Sequence, residues 1–245
     1  MTNTVTVEVR DLRKSFGHIE AVRGVSFAVS KGEVLGFLGP NGAGKSTTMR
    51  MITGFLPPTG GTALVGGLDV AQDPVGVKRQ LGYLPENAPV YGTMTVTGFL
   101  RFAGSIRGFE GSELADRVEA AVKRSHLEGV RHQTISTLSK GYRQRTCFAQ
   151  AILHDPPVLI MDEPTDGLDP NQKFVVREMI KEMAAEKVII VSTHILEEVD
   201  AVCTRALIIA RGKVVANGTP AELKAMSDTG RLEDVFRKLT IGEER

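Results

Sequence analysis

Short apolar runs recur along the chain, at Val34 to Leu38, Leu81 to Leu84, Val158 to Met161, Val188 to Ser192 and Ala206 to Ala210. Runs this short and uninterrupted predict strands buried on both faces, and the helical patterns between them predict a largely parallel sheet. Pro170 to Glu186 reads as one such helix: Val176, Met179, Ile180 and Met183 fall at helical spacing. Asp169 is placed to cap it, with Pro170 at its first position. From about Asn87 to His154 the texture changes. Val96 to Arg107, Gly111 to Ser125 and Ser139 to Leu153 all read helical, with no strand among them, which predicts a helical insertion in an α/β core. Val5 to Val9 and Gly24 to Val29 are alternating and β-rich, so a small antiparallel sheet is expected beside the parallel one. Lys213 to Ala216 reads as a last strand, and Pro220 to Met226 and Arg231 to Leu239 as short helices.

No run approaches the ~18 apolar residues that a membrane-spanning helix needs. The N-terminus lacks the basic start and apolar block of a signal peptide, so the chain is expected neither to span a membrane nor to be exported. Its 245 residues, 42% hydrophobic and 24% charged, suit one large globular domain with room for an inserted subdomain. Thirty Lys and Arg against twenty-nine Asp and Glu leave a formal charge of +1, which argues against a dedicated nucleic-acid binder. The two cysteines, Cys147 and Cys203, have no metal-ligand spacing and are expected as buried thiols in a reducing compartment.

Gly39-Pro40-Asn41-Gly42-Ala43-Gly44-Lys45-Ser46-Thr47 fits G-x-x-x-x-G-K-[ST], after an apolar strand and before a helical stretch expected at Thr47 to Thr53. In that context the backbone N–H groups form a nest for phosphate oxygens, the helix N-terminus adds partial positive charge, Lys45 reaches the β- and γ-phosphates, and Ser46 would ligate Mg2+. Asp162 and Glu163 end another buried strand. Adjacent carboxylates there are costly without a cation. Asp162 would hold the Mg2+ shell, and Glu163 would orient or deprotonate an attacking water.

With these motifs in place, the chain resembles the ATP-binding cassette ATPases, the nucleotide-binding subunits of ABC transporters. Leu138-Ser139-Lys140-Gly141-Tyr142-Arg143-Gln144-Arg145 resembles the family's signature sequence, Glu163 to Asp169 its D-loop, and His194 its switch histidine. The resemblance runs from about Val7 to Leu223. It implies an α/β fold with a phosphate-loop NTPase (RecA-like) parallel-sheet core, an antiparallel β subdomain and an inserted helical subdomain. Residues 1–86 and 155–220 would form the core, 87–154 the helical signature subdomain and 221–245 short C-terminal helices. It further implies ATP and Mg2+ as ligands and a head-to-tail dimer, homo or hetero, in which each ATP lies between the phosphate loop of one subunit and Ser139 and Gly141 of the other. His194 would hydrogen-bond the γ-phosphate, Phe16 would stack on adenine, and a separate transmembrane permease would dock near Glu86 to Gly98. That places the chain peripherally at the cytoplasmic face of the membrane.

The sequence departs from the family's usual pattern in two places. Glu86 stands where the family usually has a glutamine that links Mg2+ and water to the permease; a carboxylate can still ligate the metal, but it adds negative charge near the γ-phosphate. Lys140 and Tyr142 replace glycine and glutamine in the signature, and Lys140 either adds a cation near the partner's ATP or points to solvent. Both variants resemble the subgroup that works with ABC-2 type permeases, often exporters. Two other readings compete: a cassette ATPase acting on nucleic acid or ribosomes, and an unrelated phosphate-loop kinase or GTPase. The single phosphate loop and balanced charge disfavour the first, and the signature and His194 leave the second without an explanation for them.

Overall fold

Every residue of Val34–Leu38 and of Val158–Asp162 is buried, as expected of strands covered on both faces. The structure, a computed structural model, describes residues 6–87 and 89–241; Val5 of the expected first strand and residues 242–245 of the expected C-terminal segment lie outside it. In chain order the elements are β1 (Thr6–Phe16), β2 (Ile19–Ser30), β3 (Val34–Leu38), α1 (Lys45–Ile52), β4 (Gly60–Val65), β5 (Leu68–Asp69), α2 (Pro74–Gln80), β6 (Leu81–Leu84), α3 (Val96–Ile106), α4 (Gly111–Arg124), α5 (Lys140–Ile152), β7 (Val158–Asp162), α6 (Pro170–Ala184), β8 (Val188–Thr193), α7 (Leu196–Val202), β9 (Arg205–Ala210), β10 (Lys213–Gly218), α8 (Pro220–Lys224) and α9 (Leu232–Ile241).

The main sheet has six strands in the order β10-β9-β3-β8-β7-β6. All pairs are parallel except β9 with the edge strand β10. A second sheet, β2-β1-β4-β5, is antiparallel. Val7, Val9 and Val25 of the second sheet face Leu35, Phe37, Ile160 and Ile190 of the first, with Met49, Met51 and Ile52 of α1 packed in the same cluster. The opposite face of the main sheet, through Leu159, Met161, Ile189 and Val191, is covered by α5 and α6.

Helix α5 serves two clusters. Phe148 and Ile152 pack on the main sheet, while Ala149 and Leu153 pack with Phe99, Leu100, Val118 and Val122 of the other helices. The helix that begins with the signature sequence is therefore the beam joining the helical cluster to the sheet. No helix among the described residues is long and apolar enough to cross a membrane.

Several boundaries differ from those expected. β1 runs far beyond Val9 and β2 starts before Gly24, because Gly24 sits inside a strand irregularity rather than at its end: its φ is +85°, and the pairing steps past it from Leu12↔Val25 to Arg13↔Arg23. Helix α1 starts at Lys45, two residues before the expected Thr47, and α6 ends at Ala184. Cys203 is only half-buried by exposed area, unlike Cys147. Burial nonetheless pushes both thiols up to about 12, so both are protonated at neutral pH.

Candidate nucleotide site

The loop 39–44 turns from the end of β3 into α1, and Gly39 and Gly44 occupy places where a side chain would meet backbone. A Cβ at Gly39 would stand 2.5 Å from the Ile209 carbonyl oxygen, and one at Gly44, with φ of +104°, 2.6 Å from that of Ala21. Gly44 is the N-cap of α1 and no side chain caps that end, so the first amides of the helix are left for an anion. Lys45 folds back over the loop, its Nζ donating to Gly39 O at 2.7 Å and to Pro40 O at 3.3 Å.

Asp162 closes β7 and is 1% exposed. Ser46 donates to its Oδ1 at 3.2 Å, and the hydroxyl of Ser192, its register partner on β8, donates to the same oxygen. The loop and the acidic strand are thus joined by a hydroxyl–carboxylate contact between hard oxygen donors. Glu163 follows in a left-handed conformation, φ +50°, which a non-glycine residue adopts at a cost of about 1–3 kcal/mol. Its N–H donates to Ser192 O at 3.1 Å. This geometry turns its side chain back toward the phosphate loop, where Oε1 lies 3.5 Å from Lys45 Nζ. Oε2 accepts from the His194 backbone N–H at 3.4 Å and stands 2.9 Å from its Nδ1.

These groups share a polar cleft of about 630 Å3, whose lining includes Asn41, Lys45, Ser46, Glu86, Glu163 and His194. Pro40, Gly42, Gly44 and Thr47 of the loop also border it, as does Asp166. Ala43 is buried beneath the loop. Glu86 is thus brought to the same cleft as the phosphate loop. Phe16 is half exposed at the end of β1, with Lys14 Nζ 5.2 Å from its ring centroid. It lines an adjoining hollow that shares Thr47 with the cleft.

Ser139 and Gly141 are not among the residues lining the chain's own cleft. Ser139 caps α5, accepting from Tyr142 N at 3.4 Å. Gly141 packs directly on Gln172 of α6, where a Cβ would come within 2.6 Å of Oε1.

Two features went unread in the sequence. Ser192 is the first polar residue of the otherwise apolar strand β8, followed only by Thr193, and that break in the apolar run was the available signal. The second is a groove of about 490 Å3 lined by Phe55, Tyr83, Tyr91, Phe99, Phe102 and Ile106, with Lys78 and Arg107 among its borders. It extends past the expected Glu86 to Gly98 contact region onto the exposed face of α3. Burial, then the negative charge of Asp162, pushes the Tyr83 phenol up to about 12, so it is neutral.

The ABC transporter family profile matches residues 22–166. The chain is 37% identical over 222 residues to the probable multidrug ABC transporter ATP-binding protein YbhF of Escherichia coli (strain K12), covering 90% of this chain and 38% of that protein. It thus spans well under half the length of that relative. It is 34% identical to the Nod factor export ATP-binding protein I of Cupriavidus metallidurans, over 90% of this chain and 73% of that one. A solved ATP-binding subunit of an ABC transporter superposes with a TM-score of 0.85 at 32% identity, covering 95% of this chain and 98% of that chain. A dimeric bacterial ABC transporter cassette, MJ0796, shares the fold, with a TM-score of 0.79 at 21% identity over 87% of this chain and 98% of that one. Carrying a phosphate loop, an acidic strand end and a signature-bearing helix on this fold, the chain belongs to the ABC transporter family as one of its ATP-binding subunits.

Proposed function

We propose that this chain hydrolyses MgATP between two head-to-tail cassettes, a second copy or a relative, and so drives a separate transmembrane permease of the exporting, ABC-2 type from the cytoplasmic face of the membrane. The observation that carries the reading is the convergence of Lys45, the Ser46–Asp162 contact and the Glu163–His194 pair on one polar cleft. The names of the E. coli and Cupriavidus relatives, multidrug and Nod factor export, support the export assignment.

The loop amides and Lys45 would bind the phosphates. Ser46, Asp162 and Glu86 would hold Mg2+, and this all-oxygen donor set suits that ion. When bound, Mg2+ supplies positive charge to the β- and γ-phosphate oxygens. Glu163 would accept the proton of the water whose oxygen attacks the γ-phosphorus as the bond to the bridging oxygen breaks, leaving ADP and phosphate. His194 holds the Glu163 carboxylate in place. Ser139 and Gly141 of a partner would cover the open side of the γ-phosphate, with the α5 N-terminus aimed at its charge.

Sedimentation of Glu163→Gln with saturating MgATP tests the dimer: a shift to twice the mass is expected, and a chain that stays monomeric removes the proposal. The permease is tested by co-expression, where the chain should stay in washed membranes only when that partner is present.

A further inference from the structure

Lys140 is the first residue of α5, the end of a helix that disfavours a cation, since the unsatisfied amides already carry partial positive charge. An anion holds it there. Its side chain lies across Gly167, where a Cβ would come within 2.1 Å of Nζ, and Nζ stands 3.6 Å from Asp166 Oδ2. The two destinations open to it in the sequence were the partner's ATP and bulk solvent. In the structure its side chain, though solvent-exposed, rests on the loop that follows Glu163 in its own chain. Asp166 in turn lines the nucleotide cleft. One ion pair therefore joins a subunit's own cleft to the signature segment that the same subunit would offer to its partner.

The remaining contacts between α5 and this loop are of a different kind. Gln144 Nε2 donates to Pro164 O at 3.4 Å in a buried position, and Gly141 is packed against Gln172. Those contacts are fixed by close packing. Lys140 and Asp166 are 55% and 46% exposed, so the pair is weak and can exchange without disturbing the core. A triphosphate offers several charged oxygens against one carboxylate and is the stronger acceptor for an ammonium group.

We infer that Lys140 is an exchangeable latch: in the separate subunit it is held by Asp166, and on closure it releases Asp166 for the γ-phosphate end of the ATP bound to the partner. The inference rests on the dimer reading above. Asp166 then opposes closure and Lys140 favours it, so removing either charge shifts dimerisation in opposite directions. A contact that merely braced the loop would make both variants fail alike.

The test is ATP-dependent dimerisation in the Glu163→Gln background, followed by sedimentation across a titration of MgATP. Lys140→Met should raise the midpoint ATP concentration about fivefold or more, Asp166→Asn should lower it about two- to fivefold, and Lys140→Arg should hold it within about twofold. Because Asp166 also borders its own cleft, the double variant decides between the two roles. With Lys140→Met already present, Asp166→Asn should have no further effect. Equal shifts in one direction, no shift, or a persisting Asp166 effect in the double variant would overturn the latch while leaving the dimer standing. Absence of any dimer in the parent Glu163→Gln protein would overturn both. All these side chains are at least half solvated or conservatively replaced, and thermal unfolding without nucleotide should be the same for every variant.

Discussion

Lys45 Nζ and Glu163 Oε1 stand 3.5 Å apart, with the two side chains only 6% and 8% exposed. The lysine expected to grip the phosphates is thus shared between the loop carbonyls and the proposed general base. Glu163→Gln takes a negative charge away from the place where a γ-phosphate would sit and releases Lys45 from a carboxylate. Turnover should fall about 10²- to 10⁴-fold, while equilibrium binding of a fluorescent ATP analogue should tighten. Normal phosphate release by this variant would strip Glu163 of its role.

The His194 ring contacts the same carboxylate through Nδ1, at 2.9 Å from Oε2. When Nδ1–H donates to Glu163, a neutral ring leaves Nε2 as an acceptor, and only the doubly protonated ring can donate to both Glu163 and a phosphate oxygen. The ring is therefore more important to the reacting geometry than to ground-state binding. His194→Ala should lower kcat by about 10²-fold with KM for ATP within about threefold. The backbone N–H of residue 194 still reaches Oε2 in that variant, so Glu163 keeps part of its support. A loss confined to KM would contradict this assignment.

The strands of the main sheet were legible because burial on both faces leaves continuous apolar runs, and each expected run coincides with β3, β6, β7, β8 or β9. The antiparallel sheet was legible only in fragments. Charged residues such as Glu8, Arg10, Asp11 and Arg13 occupy β1, and its pairing shifts register at irregularities, so alternation breaks where the strand does not. β4 and β5, together with the short helices α2 and α7, left too few periodic positions to read. α2 is seven residues long with Pro74 and Gly76 in its first turn, and α7, starting at Leu196 after the apolar N-cap Ile195, has no side-chain cap. At the site, the phosphate loop and the acidic pair could be placed from local sequence alone. The contact of Ser192 with Asp162 depends on the pairing of β7 with β8, which single-sequence patterns do not specify. Likewise, the seat of Lys140 on Gly167 depends on how α5 packs against the loop after β7.

Glu86 borders the same cleft as Ser46, as a carboxylate where the resemblance leads one to expect an amide. Its charge acts in two directions, attracting the metal and repelling the γ-phosphate. Glu86→Gln should therefore weaken the Mg2+ dependence of turnover by about three- to tenfold and strengthen ATP binding measured in EDTA. Metal titrations of hydrolysis and calorimetry without metal read the two effects separately. An unchanged metal midpoint would take Glu86 out of the ion's shell.

His154 lies away from the cleft, at the base of β6, with Nε2 3.1 Å from the Leu81 carbonyl oxygen and Nδ1 buried without a partner. Nε2–H therefore donates and the ring is neutral. Burial, then the positive charge of Arg107, lowers its pKa from the ordinary 6.5 to about 4. The unfolded chain takes up this proton near pH 6.5 and the folded chain does not, so the unfolded state binds more protons between those values. The stability linked to His154 is complete above about pH 6.5 and is lost as pH falls toward 4, by an amount of order 1–3 kcal/mol. His154→Gln keeps a donor for the Leu81 carbonyl and does not titrate. Urea unfolding at pH 7.5 and pH 5.0 should show the parent losing about 1–2 kcal/mol more than the variant over that interval. Parallel losses in the two proteins would place the acid sensitivity elsewhere.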